Sequence, residues 1–245
     1  MAPSNVDFST RQFDLSYKWV INDKVTIKPQ INFNYNRPWT SNQVKDTLDP
    51  GYFFYDKSVT RYSQMINANI KLTSFLKLNL GVGHYQDRAY SVNSNVPAYN
   101  ITNNNVYNTF YDYAELLLEK NKTVASLGFR NEIHSVFGSV FLPRLALTQN
   151  MGHFNLKGSY SHAFRAPLIE NIAANLLIRP EKTVVSEIEL AYKLNTHWLM
   201  SVNIFDIAIA DPIVYGTDGI IESYHNYSAL GTRGAEAELN YRSTN

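Results

Sequence analysis

The stretch Val25-Thr26-Ile27-Lys28-Pro29-Gln30-Ile31-Asn32-Phe33-Asn34-Tyr35-Asn36 alternates strictly between apolar and polar residues. Every odd position carries an apolar side chain and every even position a polar one. Because successive side chains of a β-strand point to opposite faces, the pattern predicts a strand with one apolar face and one polar face.

The same alternation recurs along the chain, in residues 66–72, 76–83, 154–160, 187–194 and 235–242. With their flanking residues the alternating segments run about 10 residues, which at roughly 3.3 Å per residue and a 45° tilt crosses an apolar layer near 25 Å. Helical periodicity is absent, apart from a short turn near residues 168–177. The sequence therefore predicts an all-β protein of about 11 or 12 antiparallel strands.

The predicted connections differ at the two ends of the strands. Short polar turns fall near residues 22–24, 73–74, 120–122, 150–152 and 195–197. Longer polar links span residues 37–61, 86–106, 163–183 and 210–224, with one short link at 136–140. Tight turns at one end and long loops at the other are typical of a transmembrane β-barrel, whereas a β-sandwich distributes loop lengths over both ends.

Aromatic residues near the predicted strand ends fit an interfacial belt of a membrane barrel. They are Tyr17, Trp19, Tyr35, Trp39, Tyr85, Tyr111, Tyr113, Tyr192 and Trp198. Since any β-protein enriches aromatics in its strands, this observation adds little by itself.

Composition excludes several classes of protein. The 22 Lys and Arg residues balance 21 Asp and Glu, giving a net charge of +1, and the basic residues are scattered singly. Nucleic acid is therefore not an expected partner. The absence of Cys excludes disulfides, thiolate nucleophiles and Cys-based metal sites. No apolar run approaches the roughly 18 residues of a transmembrane helix.

From about residue 107 onward the sequence resembles the barrel of a TonB-dependent receptor. The clearest stretch is Gly158-Ser159-Tyr160-Ser161-His162-Ala163-Phe164-Arg165-Ala166-Pro167, followed by Arg179-Pro180-Glu181-Lys182-Thr183 and Glu187-Ile188-Glu189-Leu190. Gly231-Thr232-Arg233-Gly234-Ala235-Glu236-Ala237-Glu238-Leu239 is similar to the family's strand that begins with glycine and acidic residues. Further matches are Leu127-Gly128-Phe129-Arg130, Leu142-Pro143-Arg144-Leu145, Asn203-Ile204-Phe205, Asp211-Pro212-Ile213 and Tyr224-His225-Asn226. Residues 1–106 match only in their alternation.

The resemblance implies a bacterial outer-membrane barrel of roughly 22 strands, closed by an N-terminal plug domain. Residues 1–245 would then be a partial barrel domain that lacks the plug, the segment that engages TonB and the remaining strands. The first residues show no charged region followed by an apolar stretch, and the last residue is not aromatic, so we expect an incomplete or trimmed chain. We expect TonB-coupled uptake of a scarce solute, such as a ferric siderophore, with TonB, the plug, the solute and membrane lipid as partners.

Five charged residues are candidates for the barrel lumen: Arg165, Glu181, Glu187, Glu236 and Glu238. They would contact the plug or the passing solute, or they would brace the barrel interior as a network of arginine and carboxylates, which we favour. Loop aromatics Tyr52, Phe53, Phe54 and Tyr55 are candidates for solute contact at the extracellular side.

No enzymatic activity and no cofactor are expected. The six His residues show no metal-ligand spacing, and Gly81-Val82-Gly83 lacks the third glycine of a dinucleotide loop. Two other functions stay open: a passive porin or adhesin barrel, and a soluble β-rich module that binds carbohydrate. An upstream plug would distinguish a transporter from a porin, and solubility without detergent would distinguish the soluble module from both.

Overall fold

A computed structural model describes residues 6–41, 57–91, 104–217 and 222–243. These residues form fourteen strands and one short helix. The elements are β1 (Val6–Ser16), β2 (Trp19–Val20), β3 (Val25–Ser41), β4 (Lys57–Lys71), β5 (Leu76–Ser91), β6 (Asn104–Lys120), β7 (Thr123–His134), β8 (Gly138–Met151), β9 (Phe154–Arg165), α1 (Ile169–Ala174), β10 (Glu181–Lys193), β11 (Trp198–Ala210), β12 (Ile213–Thr217), β13 (Glu222–Asn226) and β14 (Ala229–Tyr241). No helix among them has the length and apolar character needed to cross a membrane.

Twelve of the strands form one antiparallel sheet, in which neighbours along the chain are neighbours in space. The order is β1-β3-β4-β5-β6-β7-β8-β9-β10-β11-β14, with β2 paired to β3. This confirms the predicted all-β meander of about 11 or 12 strands. Strands β12 and β13 form a separate hairpin between β11 and β14.

Several strands extend beyond the predicted length of about 10 residues. β3 and β6 each contain 17 residues, and β3, β4, β5 and β6 continue into segments that the sequence assigned to loops. The alternation fades there because both faces become polar once the strand leaves the apolar layer. The backbone ladder continues regardless, because its hydrogen bonds do not depend on side-chain polarity.

Two of the short turns are closed by an asparagine side chain. Asn22 Oδ1 accepts hydrogen bonds from the backbone N–H groups of Lys24 and Val25, both at 2.9 Å. Asn195 Oδ1 accepts equivalent bonds from the N–H groups of His197 and Trp198, at 2.9 and 3.0 Å. These Asx-turns reverse the chain within a few residues, as the predicted short turns require.

The two faces of the sheet differ as the alternation predicts. The outward face carries large apolar side chains that nothing covers: Leu127 is 61% exposed, Ile188 60% and Ile204 59%. Cross-strand register places such residues side by side, as in Ile188 opposite Ile204. A continuous exposed apolar face of this extent indicates contact with membrane lipid.

Polar residues first appear within this apolar face toward the side of the long loops. Asp206 faces Arg233 across β11 and β14, and Arg233 Nε donates to Asp206 Oδ2 at 2.6 Å. Asp112 faces Asn131 across β6 and β7 on the same outward face. Each lies about eight residues from the turn end of its strand, or roughly 19 Å at 3.3 Å per residue and 45° tilt. The next outward pair, Phe110 opposite Ile133, is again apolar and exposed, so the band extends beyond this level and approaches the thickness of a membrane's apolar layer.

Helix α1 packs on the inner face of the sheet. Its Ile172, 1% exposed, lies in one cluster with Tyr107 of β6 and Ile178, while Ala173 contacts Ala89 of β5. We call residues 166–180, together with the β12–β13 hairpin, the inner cap. The segment near residues 168–177 was expected to contain a short helical turn, and α1 confirms it.

Candidate functional site

The inner faces of β4 and β5 hold an ion pair at the loop end of the sheet, with a buried carboxylate and a half-exposed guanidinium. Arg61 and Asp87 are cross-strand partners, and the guanidinium binds the carboxylate with two hydrogen bonds, Nε to Oδ1 at 2.6 Å and Nη2 to Oδ2 at 2.7 Å. Asp87 is only 8% exposed. A bidentate pair fixes both side chains in one orientation, because the planar fork of arginine matches the two carboxylate oxygens.

Aromatic rings and a second ion pair continue this arrangement across β5, β6 and β7. Arg61 lies over the ring of Tyr85, 4.4 Å from its centroid, and the Tyr85 hydroxyl donates to Glu132 at 3.4 Å. Glu132, 5% exposed, accepts from Arg130 Nε at 2.6 Å, and Arg130 in turn lies 4.1 Å from the ring centroid of Tyr111. Cations over tyrosine faces and paired carboxylates form a connected and charge-compensated inner wall.

Two glycines of β5 make room for the tyrosines of β6. Gly81 and Gly83 are the cross-strand partners of Tyr113 and Tyr111, whose rings lie over the glycines. A Cβ on Gly83 would lie 2.7 Å from Tyr111 Cε1, and one on Gly81 would lie 2.6 Å from Tyr113 Cζ. The two glycines therefore permit a close approach that any side chain would block.

This placement corrects part of the predicted aromatic belt. Tyr85, Tyr111 and Tyr113 face inward, so the prediction that they lie at the membrane interface is wrong. Tyr192 and Trp198 do lie on the outward face at the turn end. Their partners there are Phe154, at a ring distance of 4.6 Å from Tyr192, and Tyr241, at 4.8 Å from Trp198. The inward position of these tyrosines was not predicted, because the predicted strand ends differ from the observed ones by several residues.

Side-chain amides tie the two parts of the inner cap together. Asn226 Oδ1 accepts from the backbone N–H of Arg179 at 2.8 Å, and Asn226 Nδ2 donates to the carbonyls of Arg179 and Asp211 at 2.9 and 2.8 Å. Arg179 Nη2 also donates to Asp211 Oδ1 at 2.6 Å. Asn175 Nδ2 donates to the carbonyl of Tyr224 at 2.9 Å. The cap is thus one hydrogen-bonded unit rather than two independent loops.

Arg165 and Glu181 join the cap to the sheet. They are the cross-strand residues at the ends of β9 and β10, and Arg165 Nη2 donates to Glu181 Oε2 at 2.8 Å. Arg165 also donates to the carbonyl of Ile213 at 3.1 Å, while the N–H of Ile213 donates to Glu181 at 3.2 Å. Both predicted residues therefore hold the first residue of β12 in place.

The other three predicted charged residues lie closer to the turn end of the inner face. Glu187 accepts a hydrogen bond from Asn203 Nδ2 at 2.7 Å, and Asn203 is also the cross-strand partner of Glu236. Glu238 lies opposite Ser201. Neither Glu236 nor Glu238 joins Arg165 and Glu181. The predicted loop residues 52–55 lie outside the described residues.

The described residues contain no cluster of three or more His, Asp or Glu side chains that could hold a metal ion. The inner wall offers hydrogen bonds, ring faces and compensated charges. This arrangement can bind or guide a solute, and it contains no nucleophile beside a base.

An apolar outward face, a polar inner face, and short turns at one end with mostly longer connections at the other define the wall of a transmembrane β-barrel. The family model described as "TonB dependent receptor-like, beta-barrel" matches residues 2–244. The chain therefore belongs to the family of TonB-dependent receptors, which are bacterial outer-membrane proteins. This match extends the resemblance to residues 1–106, where the sequence offered only alternation. No curated protein matches the chain.

Solved structures share this fold at low sequence identity. A variant of the ferric enterobactin receptor of Pseudomonas aeruginosa has a TM-score of 0.78 at 16% identity, over 95% of this chain and 41% of that one. The siderophore receptor PirA of Acinetobacter baumannii gives 0.75 at 17%, over 96% and 42%. The FrpB iron transporter of Neisseria meningitidis gives 0.73 at 14%, over 96% and 42%. The chain thus spans about two fifths of the length of these structures.

Sequence reasoning missed the charged and aromatic inner wall of β4–β7. Arg61, Asp87, Arg130 and Glu132 are ordinary single charges in the sequence. The alternation could have assigned each of them to the polar face, but only the cross-strand register brings them together.

Proposed function

We propose that this chain is a partial barrel domain, residues 1–245, of a receptor with roughly 22 strands that takes up a scarce solute with energy from TonB. A ferric siderophore is the proposed class of solute. The proposed partners are the TonB complex, a plug domain inside the barrel and the lipid of the outer membrane. No catalytic step belongs to the proposal.

One observation carries the proposal: an antiparallel wall of the TonB-dependent receptor family whose inner face is covered by a cap at the loop end. The segment 166–180 folds inward, and Ile172 is buried against Tyr107, so the cap occupies part of the space that the inner face borders. A barrel of roughly 22 strands, as proposed here, would enclose a lumen wide enough to need a plug. The similar structures are a ferric enterobactin receptor, a siderophore receptor and an iron transporter.

Uptake measurements test this function. The complete reading frame that contains this chain is expressed in cells that lack their own siderophore receptors, with and without functional TonB. We expect these cells to accumulate at least one radiolabelled ferric siderophore, and only when TonB is functional. Equal uptake in both strains would indicate passive passage and contradict the proposal. A variant in which Asp87→Ala and Arg61→Ala disrupt the inner wall should keep its outer-membrane level but take up less.

A further inference from the structure

A groove of about 600 Å³ crosses the outward face of strands β1, β3, β4, β5 and β6. Two rows of outward side chains form its walls, and the residues between the rows, whose side chains point inward, contribute the floor. One wall consists of Leu15, Ile31, Gln64, His84 and Phe110, and the other of Tyr17, Pro29, Ile66 and Val82. We call this space the outward groove.

The size, slope and lining of the outward groove suit one acyl chain of a lipid. Four inter-strand spacings of about 4.8 Å give the groove a length of roughly 19 Å. Because barrel strands tilt by about 45°, a groove at right angles to them is inclined to the membrane normal by a similar angle. None of the described residues that line it is Asp, Glu, Lys or Arg. A charged headgroup would therefore find no counter-charge there, whereas an acyl chain needs none.

The position of the His84 side chain keeps the centre of the groove open. His84 is the cross-strand partner of Gln64 on β4. Its ring packs on Phe110, with the centroids 4.4 Å apart, and its Nε2 lies 3.2 Å from Asn108 Oδ1. Both contacts are with β6, so the imidazole leans away from β4. The space over Gln64 is left free for a ligand.

Gln64 places an unpaired amide inside the apolar band. Its side chain is exposed and forms no hydrogen bond with the part of the chain that the structure describes. Gln64 lies seven residues from the turn end of β4, or roughly 16 Å at 3.3 Å per residue and 45° tilt. Hydrocarbon offers no hydrogen-bond partner, so an amide at this depth is unfavourable unless a bound molecule supplies one.

The depth of Gln64 restricts the chemistry of that molecule. The apolar pair Phe110 and Ile133 lies ten residues from the turn end, or roughly 23 Å, which is nearer the loop side than Gln64. A simple acyl chain carries oxygen only where it joins its headgroup, at the boundary of the apolar layer. An oxygen at the level of Gln64 must therefore belong to the chain itself, a few carbons below the headgroup. Since long loops face the cell exterior, the lipid belongs to the outer leaflet.

We infer that the outward groove binds one acyl chain of an outer-leaflet lipid, and that the Gln64 amide hydrogen-bonds to a hydroxyl or ester oxygen carried within that chain. Hydrocarbon is as apolar as the groove walls, so this hydrogen bond distinguishes the bound chain from the surrounding lipid. A strand paired to the free edge of β1 would extend the wall sideways and leave the groove open to the membrane. The inference goes beyond the proposed function and depends neither on TonB nor on the solute.

Two lipids that differ only within their chains test this inference. The full-length protein in detergent is titrated with dimyristoyl phosphatidylglycerol or with the same lipid bearing β-hydroxymyristoyl chains. Native mass spectrometry then measures the fraction of protein with one bound lipid. We expect the hydroxylated lipid to bind about fivefold to tenfold more tightly, as one additional hydrogen bond predicts. Equal affinities overturn the inference.

A substitution of Gln64 tests which residue recognises the chain oxygen. Gln64→Leu removes the amide at nearly constant volume, and an apolar residue facing lipid should not impair folding. The variant should lose the preference for the hydroxylated lipid. Gln86→Leu is the matched control, because Gln86 lies on the same outward face but does not line the groove. A preference that survives in Gln64→Leu, or that is lost equally in Gln86→Leu, contradicts the role of Gln64.

Filling the groove tests where the chain lies. Val82→Trp places a large side chain in the outward groove and should weaken binding of the hydroxylated lipid several-fold. Val202→Trp is its control, because Val202 faces outward on β11 and lies outside the groove. Equal affinities of these two variants would overturn the location of the chain. Uptake and lipid binding are separate measurements, so the two proposals can fail independently.

Discussion

Replacement of Gly83 by alanine tests the close approach of β5 and β6. The added Cβ would lie 2.7 Å from Tyr111 Cε1 and even closer to Tyr111 Cζ and Oη, so the ring must move. When the ring moves, the guanidinium of Arg130 loses the ring face that lies 4.1 Å away. Loss of this cation–π contact costs about 0.5–2 kcal/mol, and strain in a packed site adds about 1 kcal/mol or more. We therefore expect a destabilisation of about 1–3 kcal/mol.

Gly158→Ala is the matched control for this substitution. Gly158 also lies within a strand, but a Cβ there would be 4.0 Å from its nearest neighbour, the carbonyl oxygen of Glu187. Alanine should be neutral or slightly stabilising at that position, because glycine in a strand interior is destabilising by roughly 0.5–1 kcal/mol. The contrast between the two variants isolates the effect of the ring.

Equilibrium unfolding in guanidinium chloride measures both variants. The full-length protein is folded into lipid vesicles, and its unfolding transition is followed by tryptophan fluorescence. A shift of the transition midpoint with an unchanged m-value reports a change in stability. In a Tyr111→Ala background, Gly83→Ala should no longer destabilise, because no ring remains to be displaced. The reasoning is refuted if Gly83→Ala matches wild type, or if its cost persists without Tyr111.

Two further predictions concern the outward face and the cap. Ile204→Arg places a charge about 14 Å from the turn end, near the middle of the apolar band, and should destabilise the folded protein in vesicles by about 2–4 kcal/mol. Asn203→Arg, one residue away on the inner face, should destabilise the folded protein much less. Equal destabilisation by the two substitutions would contradict the assignment of the two faces. Asn226→Ala removes three hydrogen bonds that hold the cap, so a glutamate-specific endoproteinase should cleave after Glu170, within the cap, several times faster than in wild type. Asn69→Ala serves as its control, and an unchanged cleavage rate would show that Asn226 does not hold the cap closed.

The sequence by itself determined the class of fold and the orientation of its side chains. Strict alternation in residues 25–36 assigns Ile31 and Phe33 to one face and Asn32 and Asn34 to the other, because the period of a strand is two. The structure places these residues as predicted. Short turns and long loops also follow from local chemistry, since the asparagines that close the turns act within three residues.

Strand length and the aromatic belt were predicted less well. Outside the apolar layer both faces are polar, so nothing in the residue pattern marks where β3 or β5 ends. Tyr85, Tyr111 and Tyr113 were assigned to the interface for this reason, although the ladder carries them into the inner wall. The plug, the solute contacts of residues 52–55 and the roles of Glu236 and Glu238 stay predictions.

Only the tertiary structure decided which polar residues meet. Arg61 and Asp87 are 26 residues apart, and their pairing depends on the register of β4 against β5. Asn226 reaches Arg179, 47 residues earlier, because the hairpin and the segment 166–180 fold onto one inner face. Alternation determines the face on which each residue lies. A register shift of two residues leaves every residue on the same face, so alternation cannot determine the register. Turn lengths and cross-strand side-chain pairs select one of these registers. That register brings the polar residues of the inner wall together beneath the cap.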